Sequence, residues 1–243
     1  MHLIDRPARA RNPLRQLPIA LFALLLIASA LACRSESRSA AAEVSGEDVR
    51  RLPPTRKAAV PDIMVQAADR GRVIGGDASA VPVFVISDYE CADCQNWFEA
   101  TLPLLRAEYV DVGKVRLTLV HYPLREHPNA VAAASASLCA AAQGKFWEAS
   151  AGIFAARSRW GRLAEATALL DSIASGSAGI DPFAFRDCTA TKRLVRQIRA
   201  DIDWVDKGAF GPPLTVLVGT RRVRAGAPIT ALRAAIDSAI AGK

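Results

Sequence analysis

Histidine is scarce in this chain. There are three in 243 residues, and His2 lies in the apolar front end, which leaves His121 and His127. A zinc site of two cysteines and two histidines would need both to converge on one pair of thiols. There is no Ser-His-acid arrangement, no glycine-rich phosphate loop and no dinucleotide fingerprint, so those chemistries find no residues to carry them. Basic charge is also thin. The formal net charge is +7, but residues 1–33 hold four Arg and one Asp, leaving 27 basic against 23 acidic residues, a surplus of 4. A surplus that small, spread among Arg–acid neighbours, is no footprint for nucleic acid. Internal repeats are lacking, and length and composition suit one globular domain behind an unusual front end.

That front end has a recognisable order. Arg6, Arg9, Arg11 and Arg15 precede an almost purely apolar run from Leu17 to Ala32. The run is short for a spanning helix and ends in small residues, as secretory signals do. In Ser29-Ala-Leu-Ala-Cys33, small residues before a lone cysteine resemble the bacterial lipobox, whose cysteine is lipidated. Ala30 stands where that motif usually has leucine, and cleavage after Ala30 or Ala32 by ordinary signal peptidase is the alternative, with an uncleaved anchor as a third. Residues 1–33 are therefore expected to direct export to the periplasm or cell envelope, with Cys33 as a candidate lipid anchor. Residues 34–70 are polar and mixed, and are expected to form a flexible tether with one short helix near 46–52.

From residue 71 the pattern changes. Val73-Ile74 reads as a short strand and Val81–Ile86 as a buried one, by its β-branched, uninterrupted apolar character. Phe98, Leu102, Leu105 and Tyr109 recur at helical spacing over 92–109, with Pro103 set to kink that helix. Lys114–Val120 alternates as a strand. Helices are expected from His127-Pro128 to about Gln143, over Lys145–Arg157, over Arg162–Ala174 and over Thr191–Lys207. Leu214–Val218 and Arg222–Arg224 then read as a hairpin, and Ile229 to Ile240 as a closing helix. The order is βαβ, a helical region, a β-hairpin and a helix. Its two ends make a thioredoxin fold, an α/β architecture, with a helical insert at about 126–207 within a domain of 71–243.

The residues that carry chemistry sit at the first strand-to-helix junction, Cys91-Ala92-Asp93-Cys94. A helix N-terminus offers partial positive charge and free N–H groups that stabilise a thiolate at the first cysteine. The second lies close enough to close a disulfide with it. Thiolate attack, mixed disulfide and resolution then follow, with Cys91 as nucleophile and Cys94 as resolving thiol. A static disulfide or half a metal site are the other readings. Apart from Cys33, the remaining cysteines are Cys139 and Cys188, and an even number in an exported chain favours disulfides over metal. These two read as a structural disulfide within the insert, with a second redox pair, free buried thiols or completion of a four-cysteine metal site as alternatives. His121, at a strand end, and His127, at a helix opening, read as structural, and Phe146 and Trp147 as packing aromatics.

With its motifs, this order resembles the DsbA-like branch of the thioredoxin superfamily over about 71–241. The carrying segments are Ile86-Ser-Asp-Tyr-Glu-Cys-Ala-Asp-Cys94, Tyr122-Pro-Leu-Arg-Glu-His-Pro-Asn-Ala130, Cys139-Ala-Ala-Ala-Gln-Gly-Lys-Phe-Trp147 and Gly211-Pro-Pro-Leu-Thr215. The resemblance implies an exported thiol–disulfide oxidoreductase acting on protein or peptide thiols and disulfides. It would need no cofactor beyond its own redox-active disulfide, and a redox partner, membrane-embedded, would restore it. It also implies that Pro213 is the cis-proline facing the dithiol. Pro212 before it lacks the N–H with which such a position usually binds an extended substrate, so weaker peptide binding is expected. Strong oxidants of the family tend to carry Pro-His between the cysteines, whereas Ala92-Asp93 stands here and Glu90 precedes Cys91. Negative charge should raise the thiolate's pKa. Val85 replaces the buried acid that many relatives carry six residues before the first cysteine. A weaker oxidant is expected. The alternatives from other classes are a metallochaperone holding a soft metal such as Cu(I) between the thiols, and a peptide-binding protein without turnover.

Overall fold

The computed structural model describes residues 50–51, 62–224 and 227–243. The expected signal segment, Cys33 and most of the expected tether lie outside them. The last part of that tether is folded. Helix α1 (Ile63–Gly71) is capped by Asp62, whose carboxylate accepts the Met64 N–H at 2.9 Å. Ala68 is fully buried, and Met64 and Val65 pack on the core's edge. Gly71 allows the close approach to the insert, since a Cβ there would stand 2.1 Å from the Ala141 carbonyl oxygen. Among the described residues, folded structure is therefore already present at Asp62–Gly71. One buried alanine in a helix whose large apolar residues stay partly exposed was too faint a core signal to read.

Strands β1 (Val73–Gly75), β2 (Val81–Ser87), β3 (Val115–His121), β4 (Thr215–Val218) and β5 (Arg221–Arg224) form a sheet in the order β1-β3-β2-β4-β5. β2 and β3 are parallel, from Val81 opposite Val115 to Ser87 opposite His121. The other pairings are antiparallel. β2 is central, and Val83, Val85 and Ile86 are buried within it, which is why its sequence is an apolar run and not an alternation.

Between β2 and β3 the chain is helical from Ala92 to Val110, but in pieces. Helix α2 (Ala92–Asn96) runs into a π-helical turn (Trp97–Thr101), helix α3 (Leu102–Leu105) and a second π-helical turn (Arg106–Val110). Phe98, Leu102, Leu105 and Tyr109 are buried, as their spacing predicts. The kink expected at Pro103 takes the form of a widened turn just before it. Proline has no N–H to donate and its ring crowds the carbonyl four residues back, and a wider turn accommodates both.

Between β3 and β4 lie α4 (Ala130–Ala141), α5 (Phe146–Ala155), α6 (Arg157–Trp160), α7 (Thr167–Ser175), α8 (Pro182–Ala190) and α9 (Val195–Gly208), and α10 (Ile229–Ala241) follows β5. α9 starts at Val195 and not at Thr191, and two others differ further from expectation. α7 starts at Thr167, not 162, because the buried Asn129 side chain holds the preceding loop: its Nδ2 donates to Leu163 O and its Oδ1 accepts from Ala166 N, both at 2.9 Å. α8 was not expected at all. Asp181 caps it through the N–H groups of Phe183 and Ala184, with Pro182 in its first turn. It buries Phe185 and Cys188, and Cys188 is bonded to Cys139 of α4 with Cα atoms 5.8 Å apart.

A buried ion network fastens this region to the sheet. Arg72 reaches Asp201 of α9 at 2.5 Å and Asp69 of α1 at 2.8 Å. Asp201 also accepts the His121 N–H at 2.9 Å, and His121 Nε2 lies 3.1 Å from Ser137 Oγ of α4. Burial would push Asp201 up, but Arg72 and His121 outweigh it and hold the carboxyl below its ordinary value. Burial pushes His121 down. Phe146 packs edge-on to His121, and Trp147 stacks on Phe98, so both aromatics serve packing between the insert and the sheet's helices.

Candidate active site

The site is built where β2 ends. Asp88, Tyr89 and Glu90 turn the chain out of the sheet, and Cys91 is the N-cap of α2, with φ −69° and ψ 123°. Its Sγ accepts the Cys94 N–H at 3.2 Å, a place usually filled by Ser, Thr or Asp oxygen. Cys91 is half-exposed and Cys94 is buried, and both are free thiols. The geometry sets two different sulfurs. The Cys91 thiol is lowered to about 7, first by a hydrogen bond from the Cys94 thiol and then by the backbone N–H groups of Cys94 and Asp93, against the opposing effects of burial and of Asp88. Burial, and then the neighbouring Cys91 sulfur, push Cys94 strongly up. An accessible thiolate with a protonated thiol one turn inside is the arrangement needed for attack followed by resolution.

The charges around Cys91 differ from those expected. Glu90 turns away, its Oε1 accepting the Asn129 N–H at 2.7 Å, and burial raises its carboxyl. Asp93 acts on the sulfur through its backbone N–H, which lowers the thiol. The carboxylate that opposes the thiolate is Asp88, three residues before it. Sequence position alone cannot tell which acidic side chains face a sulfur and which face away.

Asp88 is buried and accepts hydrogen bonds from Glu90 N at 2.7 Å, Leu124 N at 2.8 Å and the His127 Nδ1–H at 2.7 Å. Its carbonyl accepts the Cys91 N–H at 3.2 Å. Arg157, at the start of α6, donates from Nη1 to Glu90 O at 3.1 Å and from Nε to Gln95 Oε1 at 2.8 Å, spanning the residues on either side of the dithiol. Tyr89 is buried against Phe154, its hydroxyl 2.7 Å from Ser150 Oγ. Asp88, His127 and Arg157 were not assigned to the site from sequence, because contacts across 39 and 67 residues leave no mark in local spacing. Neither histidine joins the thiols. Among the described residues no three His, Cys, Asp or Glu side chains are grouped to hold a metal ion.

Pro213 requires a correction. The bond before it is not the cis one; the cis peptide among the described residues joins Pro213 to Leu214. A proline tolerates a cis bond on its N-terminal side, which is why the sequence pointed to the Pro212–Pro213 bond. Thr215 opens β4 opposite Ile86, and its Oγ1 donates to Pro212 O at 2.7 Å, so the turn spans Pro213 and Leu214. The segment still enters β4 at the end of the sheet from which the dithiol emerges.

The family model described as Thioredoxin matches residues 67–238. The chain belongs to the thioredoxin family. Within it, this thioredoxin-family protein has a DsbA-like fold, with its helical insert between β3 and β4. It is 31% identical to the Na(+)/H(+) antiporter NhaA 1 of Salinispora arenicola over 79% of this chain and 29% of that protein. The chain thus spans under a third of that relative's length. It is 21% identical to disulfide bond formation protein D of Bacillus subtilis, over 70% of this chain and 78% of that one. Its fold is similar to the crystal structure of oxidised BdbD from Bacillus subtilis, with a TM-score of 0.64 and 21% identity over 71% of this chain and 95% of the other.

Proposed function

We propose that this protein is an exported thiol–disulfide oxidoreductase that exchanges disulfides with protein or peptide substrates through Cys91 and Cys94. The observation that carries the reading is the pairing of a half-exposed, N-capping Cys91 thiol lowered to about 7 with a buried Cys94. In the reducing direction, Cys91 thiolate attacks a substrate disulfide, the Cys91–substrate S–S bond forms, and one substrate sulfur leaves as thiolate. Cys94 then gives up its proton and attacks Cys91 Sγ, closing the Cys91–Cys94 disulfide and releasing the second substrate thiolate. Two electrons pass from the protein dithiol to the substrate, and the reverse sequence oxidises a substrate dithiol. The exchange needs no cofactor. A separate redox partner, membrane-embedded, resets the pair.

The thiolate is only moderately stabilised. Strong disulfide donors hold the attacking thiol near ~3.5 and reducing thioredoxins near ~7, so a weaker oxidant is the better reading. Export is supported by the signal-like residues 1–33 and by a bond between Cys139 and Cys188 that an oxidising compartment sustains. Cys33 is the proposed lipid anchor. Pro212, without an N–H, weakens the grip on extended substrates. Ion transport is not carried over from the antiporter, because the matched stretch covers only 29% of that protein.

Equilibrium titration against glutathione and insulin reduction test this together. Wild type is expected to reduce insulin, Cys91→Ser to lose the activity, and Cys94→Ala to accumulate mixed disulfides on Cys91. A potential as oxidising as about −120 mV would sink the weak-oxidant reading. Full activity of Cys91→Ser would sink the exchange reading.

A further inference from the structure

Asp88 poses a problem that the dithiol motif does not solve. Its side chain is fully buried and its charge opposes the Cys91 thiolate. Two anions cannot share a poorly solvated turn without a counter-charge. The residues between the cysteines, Ala92 and Asp93, supply none. The loop between β3 and α4 does. It sends the Leu124 N–H and the His127 ring to the same oxygen, Asp88 Oδ2, at 2.8 Å and 2.7 Å.

We infer that the Asp88–His127 ion pair sets the charge felt by Cys91, with His127 as a positioning residue whose proton offsets Asp88. The loop that carries it reaches the dithiol from outside the motif. Asp88 interacts with His127, Cys91, Glu90 and His121, and His127 with Asp88, Glu90 and Glu126. The hydrogen bond to Asp88 raises His127 above the ordinary histidine range, and the charges of Asp88, Glu90 and Glu126 favour its cation further. The His127 ring is 23% exposed, so it exchanges its proton with solvent. Loss of that proton leaves Asp88 uncompensated and raises the Cys91 thiol. By linkage, thiolate formation at Cys91 must raise His127 in return.

This rests on Cys91 being the attacking sulfur, but its test needs no substrate. Thiolate absorbance near 240 nm is followed against pH in the reduced full chain. His127→Asn keeps an N–H donor for Asp88 and removes the charge. It is expected to raise the Cys91 midpoint by about 0.5–1 unit, cutting the thiolate fraction at neutral pH about two- to five-fold. His127→Lys, which restores a cation, is expected to bring the midpoint back, and Asp88→Asn to lower it. A purely structural role would lower thermal stability in both His127 variants and leave Asn and Lys alike in midpoint, which overturns the inference. Where a variant does not fold, the wild-type ring answers by NMR. His127 is expected to titrate at higher pH in the reduced protein than in the oxidised one, and equal midpoints overturn the inference. A normal titration with no insulin reduction would count against the exchange reading and leave the ion pair standing.

Discussion

Cys91 and Cys94 are chemically alike in sequence and opposite in the fold. One caps a helix and accepts N–H groups, and the other is walled off from water. The consequence is a pH profile. Iodoacetamide should alkylate Cys91 of the reduced protein with a midpoint at about 7, below the ~8.5 of an unperturbed thiol. Cys94 should stay unmodified across the same range. Because the folded value is the lower one, the thiolate's stabilising effect on the reduced fold is complete above the unfolded value and fades as pH falls through about 7. A midpoint above 8.5 for Cys91, mapped by mass spectrometry, would contradict the capping argument. At this scale the sequence was a good guide to the sulfurs and a poor one to their neighbours. Spacing places two cysteines at a helix mouth, but which carboxylate faces them depends on side-chain direction.

At the scale of elements, the helices that misled were those whose limits are set by distant partners. α7 begins where Asn129 lets go of the preceding loop, and α1 is folded by its contact with α4. The strands, by contrast, were legible, because buried β-branched runs have few other uses. α8 is held by its Asp181 cap, by Phe185 in the core and by the bond from Cys188 to Cys139. Replacing both cysteines by alanine should cost about 2–4 kcal/mol in urea unfolding, while insulin reduction is retained. If activity vanished with the fold intact, Cys139 and Cys188 would be a second redox pair after all.

For the whole molecule, the question is what keeps the helical insert registered on the sheet, since Arg157, His127 and Asn129 all act on the site from it or from its edge. The buried Arg72–Asp201–His121 network is the fastening. Asp201→Asn should destabilise the protein by up to about 3–5 kcal/mol, because it leaves the buried Arg72 to the partly exposed Asp69. Chemical denaturation at neutral pH would measure it, and a loss under about 1 kcal/mol would mean the insert is held by apolar packing alone. Acid should act on the same network in two steps. His121 has a depressed folded pKa, so its contribution is present above the ordinary histidine value and is lost as pH falls below it. Asp201, also depressed, follows at lower pH, where its carboxylate is protonated.

The sequence by itself determined the class of chemistry and the plan of the chain: two cysteines at a strand-to-helix junction, a βαβ unit and a hairpin, and a helical stretch between them. Those are local facts, written in hydrophobic period and residue spacing. The tertiary structure alone decided the electrostatics of the thiolate and the folding of Ile63–Gly71 against the insert. Each depends on groups far apart in sequence meeting in a poorly solvated interior, where one charge turned toward or away from a sulfur outweighs its position in the chain. That is why the dithiol was plain from its spacing, while the contacts of Asp88, His127 and Arg157 beside it were not.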